Sequence, residues 1–319
     1  MKALFYLGPG KLELREVEKP AGDVVIRVLG AGICGTDLKT YLKGHPMFKP
    51  PTILGHECYG RIEATDNYHG SLKVGDTVAV APYLECGKCD SCKRGVPELC
   101  KFKTFVETGC FSEYISMSEE HALRGLFKVE DDPLYSLAEP LACVYNGFEK
   151  LGRKPEKLLI VGGGPMGMLL ALVGLSEGCE TRIVEKSEWR LEYIRRAGIE
   201  GSSERPDGTF DSIVLAVNVP ELVGEYTPLL ADGGSLLLFS GYPKDATISV
   251  DPYAVHYREV SITGSFGFGF KHFEKAVGSL STSRDLFGKL ITHRFDMRNA
   301  REAFELLNRG RAMKIIFGM

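Results

Sequence analysis

Cys86, Cys89, Cys92 and Cys100 occupy one 15-residue stretch of a 319-residue chain, in the spacing Cys-x2-Cys-x2-Cys-x7-Cys. Four soft thiolates brought together by such short spacings can close a tetrahedral shell around one Zn²⁺. A disulfide cluster is the competing reading. The short spacings, and the lack of any other mark of a secreted disulfide scaffold, favour zinc. A second set of ligand types is scattered over three segments: ICGTD, GHE and EPLAC. Cys34, His56 and Glu139 could supply sulfur, imidazole and carboxylate to one Zn²⁺, leaving a fourth position open for water or substrate, as catalytic sites do. Taken singly these residues say little, since an isolated Cys is usually a small buried hydrophobe. The weight lies in the combination.

A third constellation is Gly162, Gly164 and Gly167, a G-x-G-x-x-G whose turn also holds Pro165 and Met166. It follows an apolar strand candidate and opens a helical one, the context that makes the motif meaningful. Gly162 allows the tight turn, Gly164 lets the backbone approach a pyrophosphate, and Gly167 lets helix and sheet pack closely. The helix N-terminus then stabilises phosphate charge. Glu185 follows at the end of the next strand candidate, TRIVEK. A carboxylate there hydrogen-bonds ribose hydroxyls and repels a 2′-phosphate, so NAD is expected over NADP. Lys186 and Arg190 are placed to soften that preference.

The elements that must position these residues fall into two patterns. The first 140 or so residues are β-rich and broken by Pro and Gly, with strands expected at 23–29 and 73–81. Beyond them, apolar strands at 157–161, 182–184, 212–217, 235–239 and 260–263 alternate with helical candidates at 165–177, 187–197, 220–230 and 251–256. That alternation is the mark of a parallel, doubly wound sheet. A mixed tail ends in the strand-like KIIF at 314–317. Hydrophobic content of 44% and charged content of 25% are ordinary for a globular protein, and length suggests two domains. A net charge of −3 gives no reason to expect a nucleic-acid or membrane partner, and none is expected. The N-terminal segment lacks a signal-peptide core, and nine cysteines in such a chain are expected to sit in a reducing cytoplasm. Of these, Cys58, Cys110, Cys143 and Cys179 are expected to be packing residues, and His45 and His69 surface ones.

The segments GICGTD, GHECYGRI, KVGDTVAV, the four-cysteine lobe, EPLA and VGGGPMG occur in this order. Together they resemble the zinc-containing medium-chain alcohol/polyol dehydrogenases. The resemblance implies an α/β protein: a GroES-like, β-rich catalytic domain from residues 1–142 and 271–319, and a Rossmann domain at 143–270. It implies two zinc ions per chain. Cys34, His56 and Glu139 correspond to catalytic-zinc ligands, and Glu57 to a carboxylate beside that metal that in some members takes turns as a ligand. Cys86, Cys89, Cys92 and Cys100 correspond to a structural-zinc lobe spanning about 84–103. Glu139 stands where ethanol-type members carry Cys, which resembles the sorbitol and xylitol branch. The expected reaction is hydride transfer between a secondary alcohol of a polyol or sugar and NAD, in the cleft between the domains. Thr36 is placed to pass on the alcohol proton. Lys39 replaces the relay His of many members, and an ammonium cannot accept a proton. Ser265 and Phe266 are expected near the nicotinamide, and a homodimer or homotetramer is expected. Threonine-type amino-alcohol oxidation and aldehyde reduction are alternatives on the same scaffold. A non-enzymatic zinc-ribbon module is a remote one, since it leaves GHE and the glycine motif unexplained.

Overall fold

The computed structural model describes residues 1–319 and divides into two compact units, Met1–Ala142 with Phe268–Met319, and Cys143–Gly267. The return to the first unit comes at Phe268, a few residues before the expected position. Phe268 stacks on Tyr83 at 4.4 Å, and its N–H donates to the Tyr83 hydroxyl.

The first unit is built on a seven-stranded sheet. Its path runs Leu126–Lys128, Thr77–Val80, Glu57–Thr65, Val24–Gly32, Lys314–Gly318 and Ile291–Asp296, with Tyr114–Met117 also pairing Val24–Gly32. The C-terminal strand thus lies inside the sheet, antiparallel to Val24–Gly32 and parallel to Ile291–Asp296. The strand expected at 73–81 begins only at Thr77. Before it the chain turns, with Gly75 at φ +93° and the Lys73 N–H donating to the Asp76 carboxylate. The core of this unit gathers Ile26, Val28, Ile62, Ile115 and Ile315 around the edge-on rings of Phe111, Phe304 and Phe317. Each such side chain, fully buried, contributes about 1.5–3 kcal/mol.

The second unit is a six-stranded parallel sheet in the order Glu200–Ser202, Glu180–Val184, Lys157–Val161, Phe210–Leu215, Leu230–Leu238 and Ser261–Gly264. Counted along the unit this is 3-2-1-4-5-6, the doubly wound Rossmann order. The helix Pro165–Ser176 is apolar all round and buried from Gly167 to Gly174, which explains why its sequence shows no polar face. The helix expected over 220–230 is shorter: Leu222–Tyr226 is α-helical and Thr227–Leu229 tightens to a 3-10 turn at Pro228. No helix is long and apolar enough to cross a membrane.

Candidate functional site

Cys34 follows the strand Val24–Gly32 by two residues and caps the helix Gly35–Lys43. Its backbone N–H donates to Asp37 Oδ2 at 2.9 Å, and its Sγ accepts from the Thr36 N–H at 3.5 Å. The amide of Thr36, at the helix start, thus faces the sulfur. Asp37 is wholly buried. Its Oδ1 also accepts from the Gly55 N–H at 3.3 Å and lies 3.7 Å from His56 Nδ1. One carboxylate therefore ties the Cys34 turn to the segment carrying His56. Gly55 is at φ +93°, and a Cβ there would strike the Phe111 ring.

Glu57 opens the strand Glu57–Thr65 and faces Gly32 across the ladder. A Cβ at Gly32 would collide with the Glu57 carboxylate, so the glycine makes room for the acid. One ligand atom from each of Cys34, His56 and Glu57 lies within 4.8 Å of the others. This is a soft, a borderline and a hard donor at a separation that fits one Zn²⁺. Glu139, 8% exposed in the first turn of the helix Ala138–Lys150, stands outside that trio. Its charge still acts on both His56 and Lys314.

Lys314 is the residue the sequence reading missed. Its Nζ sits 2.6 and 2.8 Å from the two Glu57 oxygens and donates to the Ile33 carbonyl at 3.3 Å, with both side chains buried. Burial alone would push the ammonium down in pKa, but Glu57, with Cys34 and Glu139, holds it above the ordinary range. Burial would likewise lower His56, yet Asp37 and Cys34 raise it well above its usual value. Burial raises Asp37 against the pull of His56. Buried Asp37, Glu57, Glu139 and Lys314 thus set alternating charge around the half-buried Cys34 and His56. A signal for Lys314 does exist in the sequence, as a single cation in the otherwise apolar run AMKIIF. Asp37 had one too, three residues after Cys34 in a capping-box position. Thr36 is half-buried, whereas Lys39 is exposed.

The four lobe cysteines also converge, with every sulfur within 4.8 Å of the others. Cys89–Cys92 and Cys86–Cys100 are 3.5 Å apart and Cys89–Cys100 3.7 Å. The edge of a tetrahedron with zinc–sulfur bonds of about 2.3 Å is about 3.8 Å, so the sulfurs stand ready for one ion. The Cys92 N–H and neighbouring thiols pull the Cys89 thiol down to about 6, while loss of solvent pushes Cys92 up to about 12.

In the second unit Gly162 is at φ +103°, and a Cβ at Gly167 would overlap the Gly162 carbonyl. Gly164 caps the helix Pro165–Ser176 and has open space beside it, the nearest side chain being Arg190 at 3.8 Å. That space and the helix N-terminus fit a pyrophosphate. Glu185 ends in the same place. Its carboxylate accepts from the Gly163 N–H and the Ser187 N–H, each at 2.8 Å, and Arg190 lies 3.4 Å away. Ser265 follows the strand Ser261–Gly264, and the buried Asn146 donates to its hydroxyl and to the Gly267 carbonyl at 3.1 and 2.9 Å. Phe266 is exposed. His69 is exposed and bound to Glu119.

Residues 20–129 match the alcohol dehydrogenase GroES-like domain. Residues 156–203 match an FAD binding domain, and this stretch is the glycine turn with its flanking strands and helices. The Rossmann glycine motif is common to flavin and nicotinamide enzymes. The chain is 32% identical over 315 residues to the D-altritol 5-dehydrogenase of Agrobacterium fabrum, covering 93% of each. It is 28% identical to D-arabinitol dehydrogenase 1 of Uromyces fabae, over 99% of this chain and 96% of that one. Among solved structures, a short-chain alcohol dehydrogenase of Escherichia coli complexed with NADH superposes with a TM-score of 0.86 at 25% identity, covering 100% of this chain and 99% of that one.

Proposed function

Because the chain belongs to the zinc-containing medium-chain alcohol/polyol dehydrogenases, we propose that it transfers a hydride between a secondary alcohol of a polyol or sugar and NAD. The observation that carries this reading is the meeting of Cys34 and His56 with buried carboxylates in the GroES-like unit. Cys34 and His56, with the carboxylates of Glu57 and Glu139, would hold the catalytic zinc, and Cys86, Cys89, Cys92 and Cys100 a structural one. When bound, the catalytic zinc acidifies an alcohol hydroxyl or, in reverse, polarises a carbonyl.

The remaining chemistry belongs to the chain. Asp37, 3.7 Å from His56 Nδ1, would help to orient the imidazole, whose other nitrogen would be offered to the ion. Lys314 engages both Glu57 oxygens and so offsets one negative charge in a site crowded with them. The Thr36 hydroxyl, two residues past Cys34, would take the alcohol proton while releasing its own to water or the cofactor ribose. Lys39 is exposed and has no part in this step. The N-terminus of the helix Pro165–Ser176 receives the pyrophosphate, and Glu185 the adenosine ribose. The thiol-rich composition suits a reducing cytoplasm.

The test is a panel of polyols, sugars and amino alcohols assayed with NAD and with NADP. Reduction of NAD by a polyol or sugar is the expected result. Activity confined to amino alcohols would move the chain to the threonine-type reading. Glu185→Ala should raise NADP use relative to NAD by about tenfold, about 1.4 kcal/mol of lost discrimination. An unchanged ratio would place cofactor choice on other residues.

A further inference from the structure

The cysteines of the first unit adopt two different geometries. In the lobe, neighbouring sulfurs stand 3.5–3.7 Å apart, as ligands of a shared ion should. Cys58 and Cys110 stand 2.7 Å apart. That is too close for two ligands of one tetrahedral zinc and closer than two unbonded sulfurs rest. The chemistry that brings two sulfurs nearer than this is a covalent bond, at about 2.05 Å.

We propose that Cys58 and Cys110 form a disulfide site, closed by a low-molecular-weight disulfide as oxidant, that fastens the segment carrying His56 and Glu57 to residues 110 and 111. The backbone is already laced there. The Cys110 N–H donates to the Gly55 carbonyl and the Phe111 N–H to the Leu54 carbonyl, each at 2.9 Å. Two glycines permit the approach: a Cβ at Gly55 would strike Phe111, and one at Gly109 would strike the Ile53 carbonyl. Cys58 lies in the strand Glu57–Thr65, directly after Glu57. The bond would close a long loop, since 52 positions separate the two cysteines. Such closure removes freedom from the unfolded chain.

The step balances in two exchanges. One protein thiolate attacks a sulfur of the small disulfide, forms a mixed disulfide and expels one small thiolate. The second protein thiolate attacks the mixed disulfide at the protein sulfur and expels the other. The protein loses two protons and two electrons, and the small disulfide gains both to become two thiols. The two thiols are 2% and 1% exposed, so the first exchange requires a local opening of the chain. The inference concerns folding and thiol chemistry, and it does not depend on which alcohol is oxidised.

The experiment uses the full zinc-loaded chain, incubated with oxidised and reduced glutathione at a series of ratios. Incubations run at room temperature and again just below the unfolding midpoint, so that access is not limiting. Free thiols are alkylated after unfolding with a chelator, and peptides are mapped without reduction. The expected product is one cross-linked peptide pair joining Cys58 to Cys110, lighter by two hydrogens, with seven of the nine cysteines alkylated. The thermal midpoint should rise by a few degrees on oxidation and return on reduction, and it should not respond in Cys110→Ala or Cys58→Ser. Separate alkylation of Cys58 and Cys110 at every ratio and both temperatures would overturn the proposal. So would glutathione adducts that never advance to a cross-link, or oxidation that joins either cysteine to another partner.

Discussion

The two metal-competent clusters of this chain differ in almost every physical respect. The lobe presents four chemically identical ligands from one continuous stretch, Cys86 to Cys100, three of them half-buried and Cys100 buried. Its sulfurs are satisfied mainly by one another and by local N–H groups such as those of Cys86 and Phe102. The Cys34–His56–Glu57 cluster draws unlike ligands from a helix cap and a strand start, and surrounds them with Asp37, Glu139 and Lys314. A closed set of four thiolates would leave an ion no position for a substrate, so a metal there would only stabilise. A mixed set held in a buried charge network costs folding energy and leaves room for chemistry. On the proposed function, the lobe would serve stability and the Cys34–His56 cluster reactivity.

The sharpest way to break that contrast is to remove one sulfur from each. Cys34→Ser should lower polyol-dependent NAD reduction by at least about 1,000-fold, because losing a ligand costs more than the 10–100-fold typical of its outer partners. Its thermal midpoint should move little. Cys92→Ser should do the reverse, lowering the midpoint and the zinc content by one ion per chain before it affects turnover of the folded fraction. Full activity in Cys34→Ser, or a Cys92→Ser protein that stays stable yet inactive, would dissolve the division.

The next largest effect concerns the buried ion pair. Lys314→Met leaves Glu57 charged and unpaired in the interior, and should cost about 3 kcal/mol or more in urea unfolding. Adding Glu57→Gln should recover part of that loss, since the pair acts as a unit. A cost below about 1 kcal/mol would mean that the pair is solvated and carries no more weight than a surface bridge.

The smallest effect is a pH slope in the lobe. With its thiol pushed up to about 12, Cys92 keeps its proton at neutral pH, and zinc must displace it. Affinity for zinc should therefore rise roughly tenfold per pH unit for that proton, and fall by the same factor on acidification. Chelator competition between mildly acidic and mildly basic pH measures the slope. A flat profile would mean that all four sulfurs are already thiolate before the metal arrives.

Local order along the chain was enough to read much of this molecule. The strand Lys157–Val161 and the helix starting at Pro165 show in the switch of hydrophobic period around the glycine turn. The lobe is visible because its four ligands lie within a few turns of chain, so spacing alone nearly fixes their geometry. Cys34, His56 and Glu139 were legible only as a combination, with Glu57 beside them by resemblance, but that Glu57 and not Glu139 stands within 4.8 Å of Cys34 and His56 was not legible. Lys314 and Glu57 lie 257 positions apart, and they meet because Lys314–Gly318 inserts beside Val24–Gly32 in one particular register. Cys58 and Cys110 meet for a similar reason, through backbone pairing that spacing does not reveal. Residue type and short-range spacing determined which ligands and which cofactor turn this chain carries. Strand register decided which charge stands beside which, because that depends on how distant segments align across a sheet.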